Sequence, residues 1–216
     1  MAAIPRGFDT VAATRHLGRV DPLLKPWIRQ LGPIEAPISW RQSFDTADAL
    51  ARSIIYQQLS GKAAATIVGR IETVLQSNCI NSAALAIVSD EQLRACGVSG
   101  NKTRALRDLA ARQQDGTIPS YRKLVHMDDD DIIASLTAVR GIGRWTAEML
   151  LMFRLGRADI LPIDDLGVRK GLAMVDRRES IPTPKELARR GAVWGPYRTC
   201  AAMMLWRVAD GGKSEY

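Results

Sequence analysis

LTAVRGIGRWTAEMLLMFRLGRADILPIDDLGVRK, running from Leu136 to Lys170, decides how this chain is read. Two glycines one residue apart, Gly141 and Gly143, stand between two segments of helical period. A pair of aspartates, Asp164 and Asp165, opens a third. Leu136, Val139 and Ile142 would pack inward, while the glycines form a turn free of Cβ atoms. Backbone N–H groups from Gly141 to Arg144, at a helix N-terminus, are then placed to hold a phosphate oxygen. A carboxylate a fixed number of residues later can act on whatever that phosphate carries. The combination reads as an enzyme working on a nucleic acid.

The stretch resembles the helix-hairpin-helix DNA glycosylases. Their pattern is an aliphatic-x-Gly-aliphatic-Gly hairpin, a helix, a short loop with proline and a catalytic aspartate. Here it falls on Val139, Gly141, Ile142, Gly143, the helix through Leu155, Pro162 and Asp165. Two further blocks, SIIYQQLSGKAA (Ser53 to Ala64) and WGPYRTCAAMMLW (Trp194 to Trp206), are similar to the alkylated-base branch, the 3-methyladenine DNA glycosylase II family. The three blocks together cover residues 40–208.

Composition agrees. The chain has 216 residues, enough for one large or two small domains. Its formal charge of +7 and pI of about 9.7 favour a polyanionic partner. Three scattered cysteines, Cys79, Cys96 and Cys200, fit neither a disulfide framework nor a metal knuckle and point to a reducing compartment. Some relatives carry a four-cysteine iron–sulfur loop, for which this chain lacks the cysteines. MAAIPRGFDT has no hydrophobic signal core, and no run reaches the length of a membrane span, so no membrane partner is expected.

Nearly every segment has helical period, which gives an all-α fold of about ten short helices. The expected helices cover a first one capped by Asp9 or Thr10 and ending near Gly18, residues 21–31, Thr46 to Gln58 and Lys62 to Gln76. They continue with the segment begun by the Ser89-x-x-Gln92 capping box, 100–114, 129–138 and 144–155. Asp165 to Val175, Pro184 to Trp194 and Pro196 to Ala209 complete the set. Residues 32–44 read as an irregular connector and those after Gly211 as a frayed tail. The resemblance implies two helical lobes flanking a cleft, one of residues 45–155 and one of residues 1–44 with 156–216. It also implies that the extra N-terminal mixed β domain of better-known bacterial relatives is absent.

Each motif has a chemical reading. Cleaving the glycosidic bond of a damaged purine builds positive charge on the sugar, which a carboxylate can stabilise while it orients water. Asp164 and Asp165 compete for that role. Family spacing (Asp, two residues, then an aliphatic and a basic residue) assigns it to Asp165, with Val168 and Arg169, and leaves Asp164 to cap or brace the helix. The resemblance puts Trp145 where strand-cutting relatives carry a Schiff-base lysine, which implies a monofunctional, hydrolytic reaction. Trp145, with Met149 one turn later, could wall a base pocket. Tyr197 matches a position where relatives place a pocket aromatic, able to attract a cationic alkylated base. Leu166, also at the pocket, replaces an aromatic. Trp194 and Trp206 are read as packing.

A base-excising enzyme must rotate its target out of the duplex and fill the gap. Leu59, at the tip of a helix–helix turn, suits an apolar wedge, and Gln58 can hydrogen-bond the facing base. A second glycine turn at Gly97 to Lys102 could grip another phosphate through Gly100 and Lys102. The acidic run Asp128 to Asp131 sits at a helix N-terminus and reads as a solvated cap. His16 and His126 are isolated.

The reading is a monofunctional glycosylase that removes 3-methyladenine-type purines from double-stranded DNA. It is expected to act as a monomer without organic or redox cofactor, with a monovalent cation, Na+ or K+, implied by resemblance at the hairpin backbone. The expected location is the cytoplasm and nucleoid in a bacterium or the nucleus in a eukaryote. The rivals are a glycosylase for another damaged or mismatched base, or a non-enzymatic DNA-structure binder using the hairpin alone.

Overall fold

The computed structural model describes residues 6–211, and the expected C-terminal tail lies outside them. Among the described residues the chain forms thirteen α-helices, two 3-10 helices and no strand. The backbone divides into two units, residues 43–147 and residues 6–42 with 148–211. The seam falls inside one helix, between Ala147 and Glu148, rather than after that helix.

In the first unit, α3 (Thr46–Tyr56) and α4 (Gly61–Leu75) form a pair capped by Asp45 and Ser60. The short α5 (Ser82–Ala86) and α6 (Asp90–Ala95) lead to α7 (Gly100–Gln114). The capping box at Ser89 and Gln92 is formed. After α8 (Tyr121–Leu124), α9 (Asp129–Thr137) runs into the glycine hairpin, and α10 (Arg144–Phe153) leaves it. Leu50, Ile54, Ile71, Leu106 and Leu109 are fully or almost fully buried, with α7 against α3 and α5 at the centre. Asp129, Asp130 and Asp131 occupy the first turn of α9, where carboxylates suit the helix dipole.

In the second unit, α1 (Thr10–Val20) and α2 (Lys25–Leu31) precede a 3-10 turn at Ile38–Arg41. The chain returns with α11 (Leu166–Val175), α12 (Pro184–Arg190), a 3-10 turn at Gly191–Trp194 and α13 (Arg198–Ala209). α13 is buried from Thr199 through Leu205, as expected of a helix apolar on most faces. It packs closely on α11 because Gly167 and Gly171 stand one turn apart. A Cβ at Gly171 would lie 2.0 Å from the Leu205 carbonyl oxygen. Asp21, almost fully buried, accepts from Arg190 and from Trp194 Nε1, both at 2.7 Å, and ties the end of α1 to the α12 region.

Several boundaries differ from expectation for local reasons. The second helix begins at Lys25 because Asp21 caps the preceding turn through the Leu23 and Leu24 N–H groups. α3 stops at Tyr56 because Gln57 is extended and Gln58 is left-handed at φ 57°. α5, α8 and the 3-10 turn at Ile38–Arg41 are too short to show a period of their own.

Candidate nucleic-acid interface and catalytic carboxylate

The hairpin of the first unit is built as the glycine spacing requires. Gly141 adopts φ 81°, a conformation unfavourable to residues with a Cβ. Ile142 N donates to Val139 O at 3.1 Å to close the turn. Val139 and Ile142 are buried, while Gly141, Gly143 and Arg144 are exposed at the amide end of α10. No atom lies within 4 Å of a Cβ built on Gly143. Gly143, just before the first turn of α10, therefore leaves an open approach to the helix N-terminus.

The turn between α3 and α4 lies in the same unit. Leu59 is 40% exposed, unusual for a leucine between two packed helices, and Gln58 is exposed beside it. Leu59 N donates to Tyr56 O, and Ser60 caps α4, so the turn is defined on both sides. Gln57, to which no sequence motif assigns a role, donates from Nε2 to the Gly141 carbonyl at 2.8 Å.

Lys102 departs from expectation. Its Nζ donates to the carbonyls of Ile55 at 2.8 Å and Gln57 at 2.7 Å, at the C-terminal end of α3. Removal from water lowers its pKa from the ordinary lysine value. The ammonium buttresses the turn that carries Leu59 and does not extend outward as the expected phosphate grip. Gly100 remains exposed at the start of α7, where the Ser99 hydroxyl accepts from Lys102 N. Farther along α7, Asp108 Oδ2 accepts from Arg140 N at 2.7 Å, just before the hairpin. Partial burial opposes the Asp108 charge, but the Arg140 amide and the Arg112 guanidinium outweigh it and hold the carboxyl below its ordinary range.

The second unit carries the aspartate. Asp165 is the N-cap of α11, and its Oδ1 accepts from Val168 N at 2.8 Å and from Trp206 Nε1 at 2.8 Å. Capping of α11 thus falls to Asp165 itself, not to Asp164, which is exposed. Trp206 also stacks on Phe153, with centroids 5.9 Å apart and planes at 28°. Trp206 is therefore more than the packing residue expected. The clue lay in its indole N–H, which needs an acceptor when partly buried. Gly167 makes the contact possible, since a Cβ there would lie 2.8 Å from Trp206 Cδ1.

The other expected pocket residues fall in different settings. Trp145 is 49% exposed on α10, with half-buried Met149 one turn on, and Leu166 is 51% exposed at the start of α11. Tyr197 precedes the first residue of α13, nine residues before Trp206. The Tyr197 ring lies against His16, at 5.4 Å, and Phe8, at 6.0 Å. Trp206 is an aromatic side chain hydrogen-bonded to the Asp165 carboxylate, and Tyr197 packs with His16 and Phe8. Among the described residues no three His, Cys, Asp or Glu side chains converge as a metal-ligating group.

A family model described as HhH-GPD superfamily base excision DNA repair protein matches residues 51–196. The chain is 32% identical over 195 residues to DNA-3-methyladenine glycosylase 1 of Schizosaccharomyces pombe, spanning 90% of this chain and 85% of that protein. Among solved structures, the 3-methyladenine DNA glycosylase of that yeast in complex with abasic DNA superposes with a TM-score of 0.80 at 31% identity. It covers 94% of this chain and 100% of that one. A DNA-3-methyladenine glycosidase from Bacillus halodurans gives a TM-score of 0.84 at 33% identity, with 94% and 92% covered.

Proposed function

This chain belongs to the HhH-GPD superfamily of base excision DNA repair proteins, and we propose that it excises alkylated purines from duplex DNA by direct hydrolysis. The observation that carries the chemistry is the carboxylate of Asp165, held at a helix start by an amide and an indole N–H. Hydrogen bonds to one oxygen fix its plane before substrate arrives. Its negative charge then stabilises the cationic sugar as the glycosidic bond breaks, and it orients the water that adds to C1′. The base leaves with the bonding electrons, so an alkylated, cationic purine is the easiest to displace.

The remaining residues present and hold the DNA. Backbone at Gly141, Gly143 and Gly100 approaches phosphates, which positions the strand without reading its sequence. Leu59 enters the stack vacated by the flipped base, and Gln58 contacts the facing base. Trp145, Met149 and Leu166 each offer apolar surface against which a base can stack. Trp145 has no amine, so no Schiff base forms at that position and the strand is left intact. A monovalent cation at the hairpin would rest on its backbone carbonyls. It would help hold a phosphate.

Single-turnover base release from a panel of duplexes, each with one defined lesion, tests the proposal. The expected products are free alkylated purine and an unbroken strand bearing an abasic site, with no adduct trapped by borohydride. Release confined to oxidised or mismatched bases, or efficient trapping, would overturn it.

A further inference from the structure

The wedge turn and the hairpin are far apart in sequence, yet the structure joins them directly. Gln57 is the residue at which α3 ends, one before left-handed Gln58 and two before Leu59. Its side chain spans to the Gly141 carbonyl, inside the hairpin itself. Its own carbonyl is held in turn by Lys102 Nζ at 2.7 Å. α7 thus anchors both elements, through Lys102 at the end of α3 and through Asp108 at the Arg140 amide.

The geometry points to Gln57 as a positioning residue that locks the wedge turn to the phosphate-binding hairpin, so that docking of the backbone aims Leu59 at the base stack. This inference rests on the wedge and hairpin roles proposed above. A turn with one left-handed residue and an exposed leucine has few packing contacts to fix it. Its orientation depends on bonds made at its base. Lys102 fixes the carbonyl end of α3, and the Gln57 amide supplies the link to the hairpin. Without that link, hairpin and wedge can each still meet DNA, but they no longer do so in one fixed register. Insertion then competes with the ordering entropy of the turn.

The test is a double-mutant cycle between Gln57→Ala and Leu59→Ala, with Gln57→Glu as a second variant that removes the donor and keeps the length. Single-turnover base release is measured on a paired duplex lesion and on the same lesion in single-stranded DNA, with affinity for undamaged duplex and melting temperature alongside. Both Gln57 variants are expected to lose about tenfold or more on the duplex while single-strand release stays near wild type, and the neutral Gln57→Ala is expected to keep undamaged-duplex affinity near wild type. The double variant is expected to be no slower than Leu59→Ala alone, since the wedge is all that Gln57 positions. Additive losses, or equal losses on duplex and single strand, would overturn the inference while leaving the wedge reading intact. A Leu59→Ala variant with no duplex-selective defect would remove the wedge reading itself.

Discussion

Trp206 donates its indole N–H to Asp165 Oδ1 at 2.8 Å, on the same oxygen that accepts from the Val168 amide. The carboxylate is therefore oriented by two rigid donors, one from the first turn of α11 and one from α13. Replacing Trp206 with Phe removes one donor while keeping an aromatic ring to stack on Phe153. Base release should fall by about 10–100-fold, because small misplacements of a reacting group are costly. DNA affinity and melting temperature should change little. Unchanged single-turnover rates would show that the Val168 amide alone suffices.

Two glycines one turn apart on α11 should respond differently to alanine. At Gly167 the new methyl meets the edge of the Trp206 ring, a side chain that can shift. The expected result is a folded protein with impaired base release. At Gly171 it meets the Leu205 backbone, which cannot move without separating α11 from α13. Gly171→Ala should lower the melting temperature sharply, and circular dichroism melts on both variants check the contrast.

Gly143→Val separates hairpin structure from hairpin function. The added side chain enters open space in the free protein, so the fold should tolerate it. On the proposed reading, it blocks the close approach of backbone to phosphate on DNA. Affinity for damaged and undamaged duplex should fall together, because contacts to phosphate carry no sequence information. A folded variant with wild-type affinity would relegate the hairpin to structure.

Asp108 links the hairpin approach to pH. Its carboxyl is held below the ordinary range by the Arg140 amide and the Arg112 guanidinium, against the opposing effect of burial. A depressed folded value means that its stabilisation is complete above the unfolded carboxylate pKa and is lost as pH falls through the folded one. Asp108→Asn should destabilise the protein at pH 7 and narrow its melting-temperature drop between pH 7 and pH 3. An equal drop in variant and wild type would assign acid sensitivity to other carboxylates.

How much of this was legible in the sequence depends on the range of the interaction. α7 (Gly100–Gln114) and the α9–hairpin–α10 unit announce themselves, because caps, glycines and helical period act within a few residues. The start of a helix at Asp165 was legible in its polar residue ahead of an apolar periodic run. The partners that orient these groups were not. Trp206 reaches Asp165 from 41 residues away and Gln57 reaches Gly141 from 84 away, distances at which no local pattern speaks. Lys102 shows the converse error. A lysine in a glycine turn has the look of a phosphate ligand, but two unsatisfied helix carbonyls lay closer to it. Tyr197, just before the first turn of α13, packs with His16 and Phe8, neighbours that no local pattern announces.

The central claim is that Asp165 performs the bond cleavage, and single-turnover base release by Asp165→Asn tests it most directly. Asparagine keeps an oxygen for the Val168 and Trp206 donors, so the fold and lesion affinity should persist while the charge is gone. The expected result is near-complete loss of base release with binding close to wild type, and only a minor effect from Asp164→Asn. Near-normal release by Asp165→Asn, with loss in Asp164→Asn, would contradict the assignment.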